Sequence, residues 1–178
     1  MRMSKLPHSP PEIGELAPCR SLDGLAPLFR AKIDELLAQL VTVGWQPCIR
    51  ESTRSNARAK HLYNFGRVYD DGRGIVTNAP NALKTWHHYG LAVDIGDRRY
   101  DDEHTPVEFW DDLERAVLRA GLTSGRDWNR NGIHDERLCD SPHVQWYCPG
   151  MHVSPSPHAA ELLASGGVEA VWRELHAI

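Results

Sequence analysis

The stretch TWHHYGLAVDIGD, residues 85–97, sets two histidines side by side and then breaks an apolar run with an aspartate. GLAVDI (90–95) has the composition of a buried strand, in which position 94 would ordinarily be Val or Ile. An ionised carboxylate in an apolar site is costly unless a cation meets it. The sequence therefore predicts a positive partner for Asp94. His87 lies seven residues ahead of it, and Gly90 permits the bend that would bring both side chains to one point.

Working outward, SLDGLAPLFRAKIDELLAQLVTVG (21–44) places Leu25, Leu28, Phe29, Ile33, Leu36, Leu37 and Leu40 at helical spacing and stops at Gly44. WQPCIR (45–50) reads as a short strand. RSNARAKHLYNFGR (54–67) reads as a helix with Leu62 and Phe65 inward, closing at Gly66. GIVTNA (74–79) is strand-like within a turn-rich stretch. In TPVEFWDDLERAVLRAGL (105–122), Thr105 as N-cap, Pro106 at N1 and Glu108 at N3 form a capping box. The expected inner face of that helix is Val107, Trp110, Leu113 and Val117, with Gly121 as its stop. HVQWY (143–147) reads as a last strand, and 159–178 as a broken C-terminal helix. Helices mixed with short strands, without βαβ alternation, predict an α+β fold. The 178 residues suit one domain, with 1–20 as an extended lead-in and 151–178 as a C-terminal helical segment.

Composition narrows the function. A formal net charge of −4 offers no basic footprint for nucleic acid. The opening MRMSKLPHSPPE lacks a secretory apolar core, and no apolar run approaches the roughly 18 residues of a membrane span. The expectation is synthesis in a cytoplasm, no membrane insertion, and a monomer, since no surplus apolar face suggests otherwise. Cys19, Cys48, Cys139 and Cys148 form no CxxC pair, which argues against a thiolate zinc site. They read as idle thiols or as a pair such as Cys19–Cys48.

The second half supplies what Asp94 lacks. CDSPHVQW (139–146) offers His143 as a third ligand and Asp140 three residues before it. A catalytic zinc takes three His or carboxylate ligands and keeps one position open. His87, Asp94 and His143 would meet that requirement, with Asp140 beside the metal to take a proton from water. His88 is the rival to His87 and otherwise a rim residue. His61, His104, His134, His152, His158 and His176 show no partner pattern and read as surface residues.

In this order, ESTRSNARAKHLYNFGR, GIVTNAP, HHYGLAVDIGD and DSPHVQ resemble the M15 zinc peptidases, over roughly residues 20–147. That family includes D-Ala-D-Ala carboxypeptidases, vancomycin-resistance dipeptidases and phage L-alanyl-D-glutamate endolysins, and the compact motifs look closest to the last. The resemblance implies a small central antiparallel sheet flanked by helices, of the hedgehog and DD-peptidase type. It implies Zn2+ on His87, Asp94 and His143, with Asp140 as acid and base. Arg54 becomes the arginine that stabilises the substrate carbonyl, and Trp128 a wall of the cleft. The implied partner is a peptidoglycan stem peptide cut at its L-alanyl-D-glutamate bond, on a cell wall reached after release from the host cytoplasm. Thr85, Ala59 and Val144 depart from the family's usual serine, glutamine and aromatic residue.

DWNRNGIHDERL (127–138) adds a second possibility. Asp127, Asn129, Asn131 and Asp135, with Gly132, match the opening of a calcium loop, although Leu138 stands where a glutamate should close it. The other reading is an Asx-rich turn without an ion. Besides the endopeptidase, two functions stay open: a D-Ala-D-Ala carboxypeptidase or dipeptidase on the same scaffold, and a non-catalytic zinc or calcium module.

Overall fold

A computed structural model describes residues 14–134, 139–149 and 153–178. Its elements run α1 (Pro27–Thr42), β1 (Pro47–Glu51), α2 (Asn56–Asn64), β2 (Ala92–Asp97), α3 (Val107–Arg119), β3 (Thr123–Ser124), β4 (His143–Gln145) and α4 (Pro157–Glu174). The four strands form one antiparallel sheet in the order β1-β2-β4-β3. The α+β expectation holds.

Register decides what the sheet presents. β2 is central, so Val93 and Ile95 turn into the core while Asp94 points to the other face. Asp94 pairs with His143 on β4 and with Glu51 on β1. Between Ile49, which faces Ile95, and Glu51, the first strand carries one extra residue, Arg50. That bulge brings Glu51, rather than Arg50, opposite Asp94. Three adjacent strands thus lay Glu51, Asp94 and His143 in one row.

The opposite face packs on helices. Phe29, Ile33, Leu36 and Leu40 of α1 join Phe109, Leu113 and Val117 of α3 over Val93, Ile95 and Val144. Each such side chain, fully buried, contributes about 1.5–3 kcal/mol. α4 breaks at Gly167, as expected, and braces the far side. There Trp172 donates to the Tyr89 carbonyl and Trp146 to the Leu175 carbonyl.

Several local expectations are corrected. GIVTNA forms no strand: Ile75 and Val76 are exposed, and the Thr77 carbonyl takes its hydrogen bond from Arg67 rather than from a neighbouring strand. Thr105 does not cap α3, because its hydroxyl donates to the Asp101 carbonyl at 2.6 Å and Pro106 occupies the N-cap. Val107 is exposed and Phe109 takes the inward position instead. His61 is not a surface residue: it is buried against Phe65 and Tyr69. All four cysteines are free, and burial pushes the Cys148 thiol up to about 12. Residues 1–13 of the lead-in lie outside the described residues. Gly14–Leu16 forms a 3-10 turn whose Leu16 carbonyl accepts from Arg58.

Candidate metal centre and active site

His87 reaches the sheet from a 3-10 turn, Trp86–Tyr89, that ends at Gly90 with φ of 64°. A non-glycine residue is strained there, and a side chain would also strike the Gly24 carbonyl. The turn folds His87 back over β2. His87 Nδ1 donates to the Ser52 carbonyl at 2.6 Å, a group that can only accept. Its proton is therefore on Nδ1, and Nε2 presents a bare lone pair.

His143 is oriented the same way from β4. Its Nε2 donates to Gln145 Oε1 at 3.1 Å, which leaves Nδ1 as the lone-pair nitrogen. His87 Nε2 lies 3.3 Å from His143 Nδ1 and 3.3 Å from Asp94 Oδ1, and His143 Nδ1 lies 3.2 Å from Asp94 Oδ1. Three acceptor atoms face one another with no hydrogen to share. Each imidazole spends its N–H on an outer carbonyl oxygen, as metal-ligating histidines do. Such a donor set fits a divalent cation, and two nitrogens with one carboxylate oxygen suit zinc. Among the described residues, this is the one group of three or more His, Cys, Asp and Glu whose ligand atoms converge, all within 4.8 Å.

His88 points elsewhere, its Nδ1 donating to the Arg54 carbonyl at 3.1 Å. The Arg54 amide in turn donates to the His87 carbonyl. The TRS and HHYG motifs thus clasp each other through their backbones, which carries Arg54 to the metal group.

Arg54 is buried and fixed at three points. Nε and Nη2 each donate to the Glu51 carboxylate at 2.9 Å, and Nη2 lies 3.4 Å from Asp94 Oδ2. Arg58 completes the cluster, donating to Glu51 from Nε at 3.3 Å. Burial alone would favour a neutral Arg54, but Glu51 and Asp94 hold its charge firmly. Burial likewise works to raise the Glu51 and Asp94 carboxyls. Arg54 wins at Glu51, holding that carboxyl below its usual range, and Asp94 is likewise held well below the usual carboxylate range. Sequence reading passed over Glu51 as a functional group. The available signal was an acid three residues before Arg54 in ESTR, but only the bulge aims it.

Asp140 lines the same cleft, of about 640 Å3, together with Glu51, Arg54, His87, Asp94 and His143. Its backbone is held by two bonds: its amide donates to Gly125, and its carbonyl accepts from His143. Gly125 has to be glycine, since a methyl there would overlap the Asp140 carbonyl and crowd His143 Cβ at 2.8 Å. Burial raises the Asp140 carboxyl, and the Asp94 charge raises it further. A carboxyl so displaced exchanges protons nearer neutrality, which suits an acid and base. Trp128 lines the cleft with its ring 5.0 Å from that of His143.

The described part of the candidate calcium loop, residues 127–134, folds onto its own backbone. Asp127 accepts from the Asn131 and Gly132 amides, Asn129 from Asn131, and Asn131 from Ile133. This is the Asx-rich turn, with its oxygens taken by backbone N–H groups. Asp135 lies outside the described residues, and calcium finds no support here.

Scans against protein-family models and curated proteins found no match. Solved structures do match. The LdcB LD-carboxypeptidase, from a study of peptidoglycan recognition, aligns over 89% of this chain and 69% of its own, at TM-score 0.50 and 15% identity. The chain therefore shares the fold of that LD-carboxypeptidase, as the resemblance to M15 peptidases implied. Two others align at lower scores. The Serratia marcescens L-Ala D-Glu endopeptidase ChiX gives TM-score 0.42 and 18% identity over 71% of this chain and 83% of its own. The vancomycin-resistance D,D-dipeptidase VanXYg, in complex with a D-Ala-D-Ala phosphinate analogue, gives 0.46 and 19% over 90% and 71%.

Proposed function

We propose that the chain is a zinc peptidase of peptidoglycan stem peptides, hydrolysing the bond between L-alanine and D-glutamate. The observation that carries this reading is the meeting of two imidazole lone pairs and the Asp94 carboxylate in one cleft with Asp140 and Arg54. A structural zinc site has no use for a buried guanidinium and a proton-exchanging carboxyl at its side. The fold it shares with an LD-carboxypeptidase adds support from outside the chain.

Zinc on His87, Asp94 and His143 would supply Lewis acidity, polarising a scissile carbonyl and acidifying water toward a pKa of about 7. The protein's own groups do the rest. Asp140 takes the proton of the attacking water and returns it to the leaving nitrogen. Arg54, fixed by Glu51, keeps its charge at the cleft wall to offset the negative charge that develops on the carbonyl oxygen. Oxyanion donors of this kind contribute about 3–4 kcal/mol. Gln145 and the Ser52 carbonyl hold the two imidazoles in the tautomers that ligation needs.

The test is hydrolysis of purified sacculi and defined muropeptides with and without a chelator, read by mass spectrometry. Cleavage between L-Ala and D-Glu that stops on chelation supports the reading. Cleavage only at a terminal D-Ala would move the activity to a carboxypeptidase, and no cleavage of any stem peptide would end it.

A further inference from the structure

The cleft is more basic than the protein that carries it. The chain has a formal charge of −4, yet the cleft is lined by six Arg and Lys side chains against four carboxylates. A divalent ion on the metal group would widen that difference. Most of the cations are already engaged. Arg54 and Arg58 share Glu51, and Arg73 pairs with Asp71 at 2.7 Å. Arg50 donates to the carbonyls of Asp97 and Tyr100 and lies 3.6 Å from Asp102. Lys84 is different: among the described residues its ammonium has neither a hydrogen bond nor an ion pair, although it lines the cleft.

Its position is set by the fold. Lys84 closes the 3-10 turn Ala82–Lys84, three residues before His87, so the two Cα atoms lie within about 10 Å. An exposed ammonium on a flexible stem in the lining of this cleft is a ready partner for an anion on the substrate. Substrate chemistry says which anion. In a γ-linked L-Ala-D-Glu peptide, the carbon bearing the leaving nitrogen also carries a free α-carboxylate, because the chain continues through the side chain. A C-terminal D-Ala offers a carboxylate on the same carbon.

We propose that Lys84 is a specificity residue that recognises a free carboxylate on the carbon bearing the leaving nitrogen. The substrates are then amides whose leaving residue is anionic at that position. The inference deepens the peptidase reading and rests on it.

Two pairs of peptides test it: L-Ala-γ-D-Glu-L-Lys against its α-amide, and a stem peptide ending in D-Ala-D-Ala against its C-terminal amide. With the zinc-loaded protein, amidation should lower kcat/KM about 10- to 100-fold, chiefly through KM, the cost of one charge-assisted hydrogen bond. In Lys84→Met the acid should fall to the level of the amide, and Lys84→Arg should restore most of the preference. Whichever pair shows the effect identifies the source of the carboxylate. Equal turnover of acid and amide by the wild type, or an equal loss on both in Lys84→Met, would overturn the proposal. If no peptide is cut, the peptidase reading fails, and calorimetric binding of the same pairs to zinc-loaded Asp140→Asn decides Lys84 separately. An acid preference erased by adding Lys84→Met supports the proposal, and one left unchanged refutes it.

Discussion

Asp94 and His143 face each other across adjacent antiparallel strands, with Asp94 Oδ1 3.2 Å from His143 Nδ1. A one-residue slip of β4 against β2 would turn one of them into the core. The metal group is therefore a property of sheet register as much as of residue type, and His87 is brought to it by a turn rather than by the sheet.

His143→Ala should abolish high-affinity zinc binding, while the wild type holds one equivalent. Zinc at 100 times its Kd stabilises the wild type by about 2.7 kcal/mol. The variant should lose that stabilisation, as read by Tm with and without zinc.

Asp140→Asn should keep the zinc and lose turnover by about 100- to 10,000-fold, the range for a general acid or base. Elemental analysis and peptide hydrolysis on one preparation check both halves. Full activity in this variant would remove Asp140 from the chemistry.

Glu51→Ala leaves the buried Arg54 and its neighbour Arg58 without their shared carboxylate, which should cost about 3–5 kcal/mol of stability. The milder Glu51→Gln should fold, bind zinc and lose kcat about tenfold as Arg54 loosens, a loss on the order of 1.4 kcal/mol. A change in KM alone would show that Glu51 does not position Arg54 for the reaction.

Asp97 contributes to the acid sensitivity of the fold. Its carboxylate accepts from the Arg99 guanidinium and from the amides of Gln46 and Arg99, which hold it far below the usual range. A depressed folded pKa means stability present above the unfolded value of about 3.9 and lost as pH falls toward the folded one. Asp97→Asn should therefore cost about 2 kcal/mol at pH 7. The gap to wild type should narrow steadily below pH 4 in urea titrations.

The helices and central strands were legible because their signals are local. Leu36 and Leu40 lie one helical turn apart, and Val93 and Ile95 alternate around Asp94. The meeting of His87, Asp94 and His143 was legible because an acid inside an apolar strand demands a partner. The misses share a cause, since each depends on contacts the chain order does not show. Ile75 and Val76 have strand propensity, but the Arg67 guanidinium takes the neighbouring Thr77 carbonyl. Thr105 has a capping hydroxyl, but Asp101 claims it first. Glu51 reads as an ordinary acid at a strand end until the Arg50 bulge sets it opposite Asp94.

Anomalous diffraction at the zinc edge, from crystals grown with one equivalent of the metal, tests the central claim most directly. The account predicts a single peak about 2.0–2.2 Å from His87 Nε2, His143 Nδ1 and an Asp94 carboxylate oxygen. A peak bound elsewhere, or none with these three groups still facing one another, would contradict it.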